Sequence, residues 1–321
     1  MSRFAKSFRV PVSKGLSPGA DMPTSTRLTL NAAAALMLVA AAPPLSPRVL
    51  AQTPTPAVVT AGDGPQTFVL VSGMVGGVAG FHRLETLLVQ SGYRVIVIDP
   101  YLLSLDSADV TFAALARRVD AVLDSYHVTG ARVVGHAHGA GVMLRVAAMS
   151  PSRVSALYFL DAGGLAVNRG PVLSGAIRLV PIITRFPGGR NLVRGRFVSG
   201  LHKSAGRQEW LDAETESRYT DPVLGSIDRV VALAGRLASA QEPESLAAVV
   251  ARVHLPVTVL LGDAPHDAGA GPEELEALAP LGSLLQIERL PGVGHFPHEE
   301  APNELLQYLL PVRRLALGGA P

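Results

Sequence analysis

The stretch that most constrains the fold runs from residue 131 to residue 147, where a short apolar run leads through two glycines into a second apolar segment. Residues 132–134 have the composition of a strand, and the apolar positions after residue 141 recur at helical spacing. Gly135 and Gly139 permit a sharp turn between the two. The sequence therefore predicts a strand, a tight turn and a helix, with Ala137 at the centre of the turn.

The spacing of Gly135, Ala137 and Gly139 is that of the nucleophile elbow, in which a serine on a strained turn stands at the start of a helix. A methyl side chain cannot attack a carbonyl, so this elbow lacks its usual nucleophile. His136 and His138, taken with a later histidine, raise the alternative of a metal site. We disfavour a metal because side chains at adjacent elbow positions diverge and no carboxylate has a matching spacing.

Apolar runs of strand length alternate with helical periodicity along much of the chain. The runs predict buried strands over residues 67–71, 94–98, 156–160, 256–261 and 284–290. Helical spacing predicts helices over residues 81–90, 112–123, 273–278 and 304–310. This alternation is typical of an α/β fold with a mostly parallel, doubly wound sheet.

The alternation stops between residues 162 and 252, where prolines and glycines interrupt the chain and only residues 227–237 have clear helical spacing. We predict a helical cap there, between residues 67–161 and 253–321 of the α/β core. Residues 169–207 hold eight Lys or Arg and no acid. They predict a solvated surface or, alternatively, a weak contact with an anionic membrane surface or an acidic ligand.

Residues 1–51 resemble a secretory signal peptide. Arg27 precedes an apolar run over residues 28–42, and residues 49–51 form a small-residue cleavage site. The run is short for a membrane span of about 20 residues. We expect export to the periplasm or beyond, with Met22 as an alternative start; an uncleaved anchor and a disordered tail are the other interpretations. Residues 52–66 read as a linker with at most one weak strand.

The basic isoelectric point of about 9.1 has a local origin. Residues 1–51 carry six Lys or Arg and one acid, and without them 22 basic and 25 acidic residues remain, a net charge of −3. The remainder therefore lacks the basic footprint of a nucleic-acid-binding protein. The chain has no cysteine, which excludes disulfides, thiolate metal sites and a thiol nucleophile. Its oligomeric state is not encoded in these features.

In an open parallel sheet, ligands bind beyond the carboxyl ends of the strands. Polar side chains follow several predicted strands and should converge on that edge. They are Ser72, Asp99, Asp161, Asp263, Asp267 and, after the last strand, His295.

With these motifs the chain resembles the α/β-hydrolase superfamily, in the form with a helical cap between strands six and seven. The resemblance covers residues 64–312 and rests on the glycine-rich loop after Val71, residues 93–99, the elbow and residues 291–297. Its members include esterases, epoxide hydrolases and carbon–carbon bond hydrolases, so it implies the fold more firmly than the substrate.

The resemblance places His295 at the catalytic histidine, a side chain suited to moving protons near neutral pH. The acid that orients it should follow strand seven, where Pro265 occupies the expected position. We favour Asp267, with Asp263 and Asp161 as alternatives. Any of the three could instead be a turn or helix-capping residue.

The resemblance also implies an oxyanion site formed by the backbone N–H groups of His138 and Met74. Gly73 and Ser72 adjoin it, and Ser72 replaces the histidine usual in the family. We expect no organic cofactor, because residues 73–80 lack the spacing of a dinucleotide-binding loop. Met74, Val75, Phe81 and the aliphatic cap predict a mostly apolar pocket.

Two functions remain open at this point. In the first, His295 activates water against a small apolar ester or amide, or acts as a base in a non-hydrolytic proton transfer. In the second, the chain is a pseudoenzyme that binds a ligand in the retained pocket. A third interpretation, an alanine introduced to trap substrate, is disfavoured by the retained leader.

Overall fold

A computed structural model of the chain describes residues 56–166, 179–266 and 269–310. The leader, residues 167–178 of the cap and Asp267 lie outside the described residues. The seven strands are β1 (Val58–Ala61), β2 (Thr67–Val71), β3 (Arg94–Ile98), β4 (Ala131–His136), β5 (Val154–Leu160), β6 (Val257–Gly262) and β7 (Leu285–Leu290).

The seven strands form one sheet in the order β1-β3-β2-β4-β5-β6-β7. Strand β1 pairs antiparallel with β3, and every other neighbouring pair is parallel. The predicted α/β class with a mostly parallel sheet is confirmed. Strand β1 lies in the predicted linker, where the sequence allowed at most one weak strand.

Helices cover both faces of the sheet, as the continuous apolar strands require. Successive residues of β2 alternate between the faces: Val69 and Val71 belong to one buried cluster, and Phe68 and Leu70 to the other. The helices of the core are α1 (His82–Gln90), α2 (Phe112–Ser125), α3 (His138–Met149), and, after the cap, α9 (Pro272–Leu278), α10 (Pro297–Glu300) and α11 (Pro302–Leu309).

Five helices lie between β5 and β6 in the described part of the chain. They are α4 (Val180–Ile183), α5 (Gly189–Ser204), α6 (Ala213–Gly225), α7 (Ile227–Ser239) and α8 (Leu246–Val250). Helix α4 packs against α5 and α7, and α5 packs against α6. This is the helical insertion that the sequence predicted, and it lies between the two strands predicted at residues 156–160 and 256–261, here β5 and β6.

Within the described residues, no helix is long and apolar enough to cross a membrane.

Candidate active site

Ala137 occupies a strained turn between β4 and α3. Its φ of 48° and ψ of −121° lie in a region that residues with a side chain rarely adopt. Two close approaches explain the flanking glycines: a Cβ on Gly135 would lie 2.6 Å from the backbone of Ala140, and one on Gly139 would lie 2.2 Å from the carbonyl oxygen of Val71. The turn therefore has the geometry of the predicted elbow, with a methyl group where a nucleophile would stand.

His295 lies in the loop after β7 and contacts Asp161 at the end of β5. Its Nδ1 is 2.7 Å from Oδ2 of Asp161, and the carboxylate side chain is 2% exposed. Burial raises the pKa of Asp161, but the hydrogen bonds and charges of its histidine partners outweigh burial and lower the pKa below its usual value. Because an ionised carboxylate only accepts, Nδ1 of His295 donates in this contact, which orients Nε2 as the ring nitrogen that exchanges a proton.

The structure describes two of the three candidate acids, Asp161 and Asp263. Asp161, the last alternative in the sequence analysis, is at hydrogen-bond distance from His295. Asp263 accepts from the backbone N–H of Gly292 at 2.6 Å and is exposed. Asp267, the favoured candidate, lies outside the described residues. Among the described candidates, only Asp161 is therefore placed to orient His295.

A second histidine contacts the same carboxylate oxygen. Nε2 of His266 is 2.8 Å from Oδ2 of Asp161, and Nδ1 is 2.7 Å from the carbonyl oxygen of Ala264. The Ala264 carbonyl and an ionised Asp161 only accept, so the two contacts are hydrogen bonds together when the ring is an imidazolium. Burial lowers the pKa of His266, but the Ala264 carbonyl and Asp161 outweigh it and raise the pKa above its usual value.

This charge makes a pH-dependent contribution to stability. A histidine whose pKa is raised on folding stabilises fully below its unfolded pKa of about 6.5, and the stabilisation is lost as pH rises through the folded pKa. We expect His266→Gln to lower the free energy of unfolding by about 2 kcal/mol near pH 6 and by much less near pH 9. Urea unfolding at both pH values measures this, with exposed His254→Gln as the control. A loss independent of pH would contradict the imidazolium.

Asp161, His266 and His295 are also close enough to be considered as metal ligands, since one nitrogen or oxygen of each lies within 4.8 Å of the others. The sequence instead suggested His136, His138 and His295 as alternative metal ligands, and we expected no metal. The 2.7 and 2.8 Å separations are hydrogen-bond lengths. A zinc ion with bonds of about 2.0–2.2 Å would require these ligand atoms to move apart.

The loop that carries His295 is fixed by buried polar groups. Nε2 of His136 donates to the carbonyl oxygen of His295 at 2.8 Å, and the N–H of His295 donates to the carbonyl of Ser204 in the cap at 2.8 Å. Burial, followed by the nearby His295, lowers the pKa of His136 to about 3, so this ring is neutral. His136 therefore positions the backbone of His295 rather than exchanging protons.

Glu300 is the buried acid that ties the cap to this loop. Its Oε2 accepts from the backbone N–H groups of Gly206, Arg207 and Gly294 at 2.9, 2.8 and 2.8 Å, and its Oε1 accepts from Phe296 at 3.0 Å. The sequence alone did not single out Glu300. The only available signal was a pair of acids shortly after the motif at residues 291–297.

The predicted oxyanion residues lie around the elbow. His138 begins α3, so its backbone N–H has no acceptor within the helix, and its Nδ1 is 3.1 Å from the hydroxyl of Tyr101. A Cβ on Gly73 would lie 3.1 Å from that of Ala137, which places Gly73 directly beside the elbow. Among the described residues, buried Ser72 has no hydrogen-bond partner for its Oγ. Their role in stabilising an oxyanion stays a prediction.

A cavity of about 190 Å³ opens between the glycine-rich loop, β3 and the cap. Met74 lines it, as expected, whereas Phe81 is buried against His298 and Val75 packs against the aromatic cluster of Trp210, Tyr219 and Phe296. The apolar lining residues are Met74, Ala79, Leu102, Leu105, Pro222, Val223, Val230 and Leu233.

Two acids near this cavity were not assigned a role from the sequence. Asp99 lines it, and burial raises the pKa of Asp99 to about 6 despite hydrogen bonds from the N–H groups of Tyr101 and Leu102. Burial likewise raises the pKa of Glu299 to about 7, where it accepts from the hydroxyl of Tyr219 at 3.2 Å. Both therefore titrate closer to neutral pH than ordinary carboxyl groups.

Comparison with known proteins identifies the family that has this architecture. The sequence profile of the alpha/beta hydrolase family matches residues 68–307. The chain belongs to this family. Its elbow, its late histidine and the acid at the end of β5 all lie inside the matched region.

Individual relatives are distant. A 2-hydroxy-6-oxononadienedioate/2-hydroxy-6-oxononatrienedioate hydrolase of Pseudomonas sp. is 28% identical over 142 residues, 41% of this chain and 49% of the relative, so the match spans about half of that protein. The sn-1-specific diacylglycerol lipase ABHD11 of Mus musculus is 22% identical over 262 residues, 76% of this chain and 80% of the lipase.

Among solved structures, the bromoperoxidase of Bacillus anthracis superposes with a TM-score of 0.62 at 16% identity, covering 79% of this chain and 93% of that chain. At this identity the likeness shows the fold alone. Membership of the alpha/beta hydrolase family therefore establishes the fold. The reaction that the chain catalyses, if any, has to be inferred from the residues of the site.

Proposed function

We propose that this alpha/beta hydrolase cleaves small apolar esters or amides with His295 and Asp161 as a general-base pair that activates water. The 2.7 Å contact between Nδ1 of His295 and Oδ2 of Asp161 carries the proposal. It fixes the tautomer that leaves Nε2 free to accept a proton. A ligand-binding pocket alone has no need of an oriented base.

The reaction needs no covalent intermediate. Water attacks the carbonyl carbon while Nε2 of His295 takes one of its protons, and the carbonyl becomes an oxyanion. The backbone N–H groups of His138 and Met74 are the proposed donors to that oxyanion. Its collapse expels the alcohol or amine, which receives the proton back from Nε2, and the acid is released.

Two observations support a small apolar substrate. The cavity of about 190 Å³ has eight aliphatic residues in its lining, beside Asp99, Arg218 and Arg229, and this volume is below that of most drug-sized ligand sites. His295 and Ala137 do not line it, so the cavity is the proposed place for a substrate group away from the cleaved bond. Among the distant relatives, the diacylglycerol lipase is named for an ester substrate. An ester with a short acyl chain is therefore the substrate that we propose.

The experiment is hydrolysis of p-nitrophenyl esters of increasing acyl length by the natural chain, His295→Gln and Asp161→Asn. We expect at least about a hundredfold lower kcat/KM for His295→Gln, the usual contribution of a general base. A stopped-flow trace should show no burst, because no acyl-enzyme forms. His254→Gln is the matched control on an exposed histidine. Equal rates for the natural chain and His295→Gln would refute the proposal.

The second candidate is ligand binding without turnover, and Ala137 is the observation that favours it. Loss of the nucleophile in serine hydrolases costs about a millionfold in turnover. Under this alternative, esters would raise the melting temperature of the chain but would not be cleaved faster than in buffer. The same ester panel, followed by thermal shift and product release, separates the two functions.

A further inference from the structure

The most exposed large apolar side chains of the described residues lie together in one stretch of the cap. They are 50–62% exposed, against 42% for the two other apolar side chains of this class. The four residues are Leu179, Ile182, Phe186 and Leu192. Soluble surfaces rarely gather their exposed apolar side chains in this way, so the stretch is a candidate contact surface.

The local structure explains why these side chains face outward. The stretch consists of α4, the turn after it and the beginning of α5. Helix α4 packs against α7 and α5 packs against α6, so their inner sides are covered by the rest of the cap. Leu201, on the inner side of α5, is buried in the aromatic cluster. The exposed apolar residues are therefore not part of the cap's own core.

Exposed cations lie beside the apolar residues. Leu192, Arg196 and Lys203 are separated by four and seven residues, which places them on one side of α5, and Arg190 is exposed at its start. In the described part of the chain, Arg190, Arg196 and Lys203 form no ion pair, whereas Arg194 pairs with Asp221. Uncompensated positive charge thus adjoins the apolar stretch.

We propose that residues 179–203 form a docking surface for an anionic lipid bilayer. The acidic headgroups of such a bilayer can bind Arg190, Arg196 and Lys203, and its acyl region can accommodate the apolar side chains. Over residues 169–207 the chain has eight basic residues and no acid, so nothing in this part of the sequence repels such a surface. A purely acidic segment without apolar side chains would satisfy the cations only.

Docking would bring the cavity close to the lipid. Helices α6 and α7, against which α5 and α4 pack, contribute Tyr219, Val223, Val230 and Leu233 to the lining of the cavity. A surface that holds the cap on a membrane therefore lies directly outside the helices that enclose the ligand site. The docking itself does not depend on whether the site is catalytic.

The test is cosedimentation of the full chain with vesicles of phosphatidylcholine alone and of phosphatidylcholine with equal phosphatidylglycerol. We expect binding to the anionic vesicles to fall at least about tenfold when three cations are reversed, since each contributes about 1 kcal/mol near such a surface. The combined variant is Arg190→Glu, Arg196→Glu and Lys203→Glu. The apolar leader is present in every variant, so it cannot produce the difference.

Two matched controls separate this surface from general charge and hydrophobicity. Reversal of three exposed arginines elsewhere should leave vesicle binding unchanged: Arg117→Glu, Arg252→Glu and Arg289→Glu. Phe186→Ser with Leu192→Ser should weaken binding, whereas Met149→Ser with Ile287→Ser should not. Thermal melting of each variant verifies that it is folded.

Insertion of the apolar side chains has its own signal. The single tryptophan, Trp210, is buried, so Phe186→Trp adds a fluorophore at the surface. We expect its emission to shift to shorter wavelength with anionic vesicles and to stay unchanged with phosphatidylcholine alone. Binding to anionic vesicles that falls no further in the Arg190→Glu, Arg196→Glu and Lys203→Glu variant than in the control charge reversal would overturn the proposal. Binding to polyglutamate without binding to vesicles would also overturn it and would assign the surface to an acidic protein.

Discussion

Ala137→Ser is expected to convert the chain into a serine esterase with at least a thousandfold higher kcat/KM on p-nitrophenyl esters. The elbow geometry that a nucleophile needs is already present, because Ala137 has a φ of 48° and the flanking glycines leave room for the tight turn. The substitution adds one hydroxyl to an existing Cβ. Since nucleophile deletion costs about a millionfold in related chemistry, restoring it should recover much of that factor.

The measurement combines steady-state kinetics with covalent labelling. A fluorophosphonate should add its mass to the Ala137→Ser variant and not to the natural chain, and a burst of p-nitrophenol should appear. Ala137→Gly is the matched control: it relieves the backbone strain, worth about 1 kcal/mol or more, and supplies no hydroxyl. Failure of labelling in a folded Ala137→Ser variant would show that His295 cannot activate a nucleophile at the elbow.

The core strands were predictable because burial on both faces leaves a local signature. Strands β2 and β3 coincide with the predicted runs at residues 67–71 and 94–98, since a central parallel strand must be apolar throughout. The elbow was predictable for a similar reason, because two glycines mark close approaches of backbone to backbone. Such features depend on residues near one another in sequence.

The partner of His295 was not predictable from local sequence. Asp161 and His295 are 134 residues apart, and only the parallel order of β5, β6 and β7 brings the ends of their strands together. The resemblance placed the acid after the next strand, where the described part of the loop contributes His266 as a second partner of Asp161. Choosing between Asp161, Asp263 and Asp267 required the spatial positions of three loops.

The burial of Glu299 and Glu300 was not predicted, because the sequence does not show which groups will form hydrogen bonds with them. Glu299 and Glu300 follow a histidine in an apparently polar segment, and acidic residues of that kind are normally exposed. Their burial depends on Tyr219 and on backbone N–H groups from the end of α5, far away in the chain. Helices α5 and α6 of the cap were also hard to predict from the sequence, because α5 lacks a clear apolar side and α6 contains Pro222.

Glu300→Ala is expected to lower the free energy of unfolding by about 4 kcal/mol, the largest stability effect of any single change considered for this chain. Glu300 accepts from four backbone N–H groups, those of Gly206, Arg207, Gly294 and Phe296. The N–H groups of Gly294 and Phe296 are buried, and each costs about 1–3 kcal/mol when left without a partner, whereas those of Gly206 and Arg207 are more exposed and can bind water. Urea unfolding monitored by circular dichroism measures the difference.

The same variant should also weaken the site, because Gly294 and Phe296 flank His295 and lose the acceptor that fixes their loop. Glu300→Gln keeps one carbonyl oxygen for the donors and should lose about half as much stability. Glu304→Ala is the control: this exposed neighbour pairs with Arg207 on the surface and should change stability by less than about 1 kcal/mol. If Glu300→Ala were no less stable than Glu304→Ala, the loop would be held by the contacts of His136 and Ser204 alone, and Glu300 would have no part in joining the cap to the histidine.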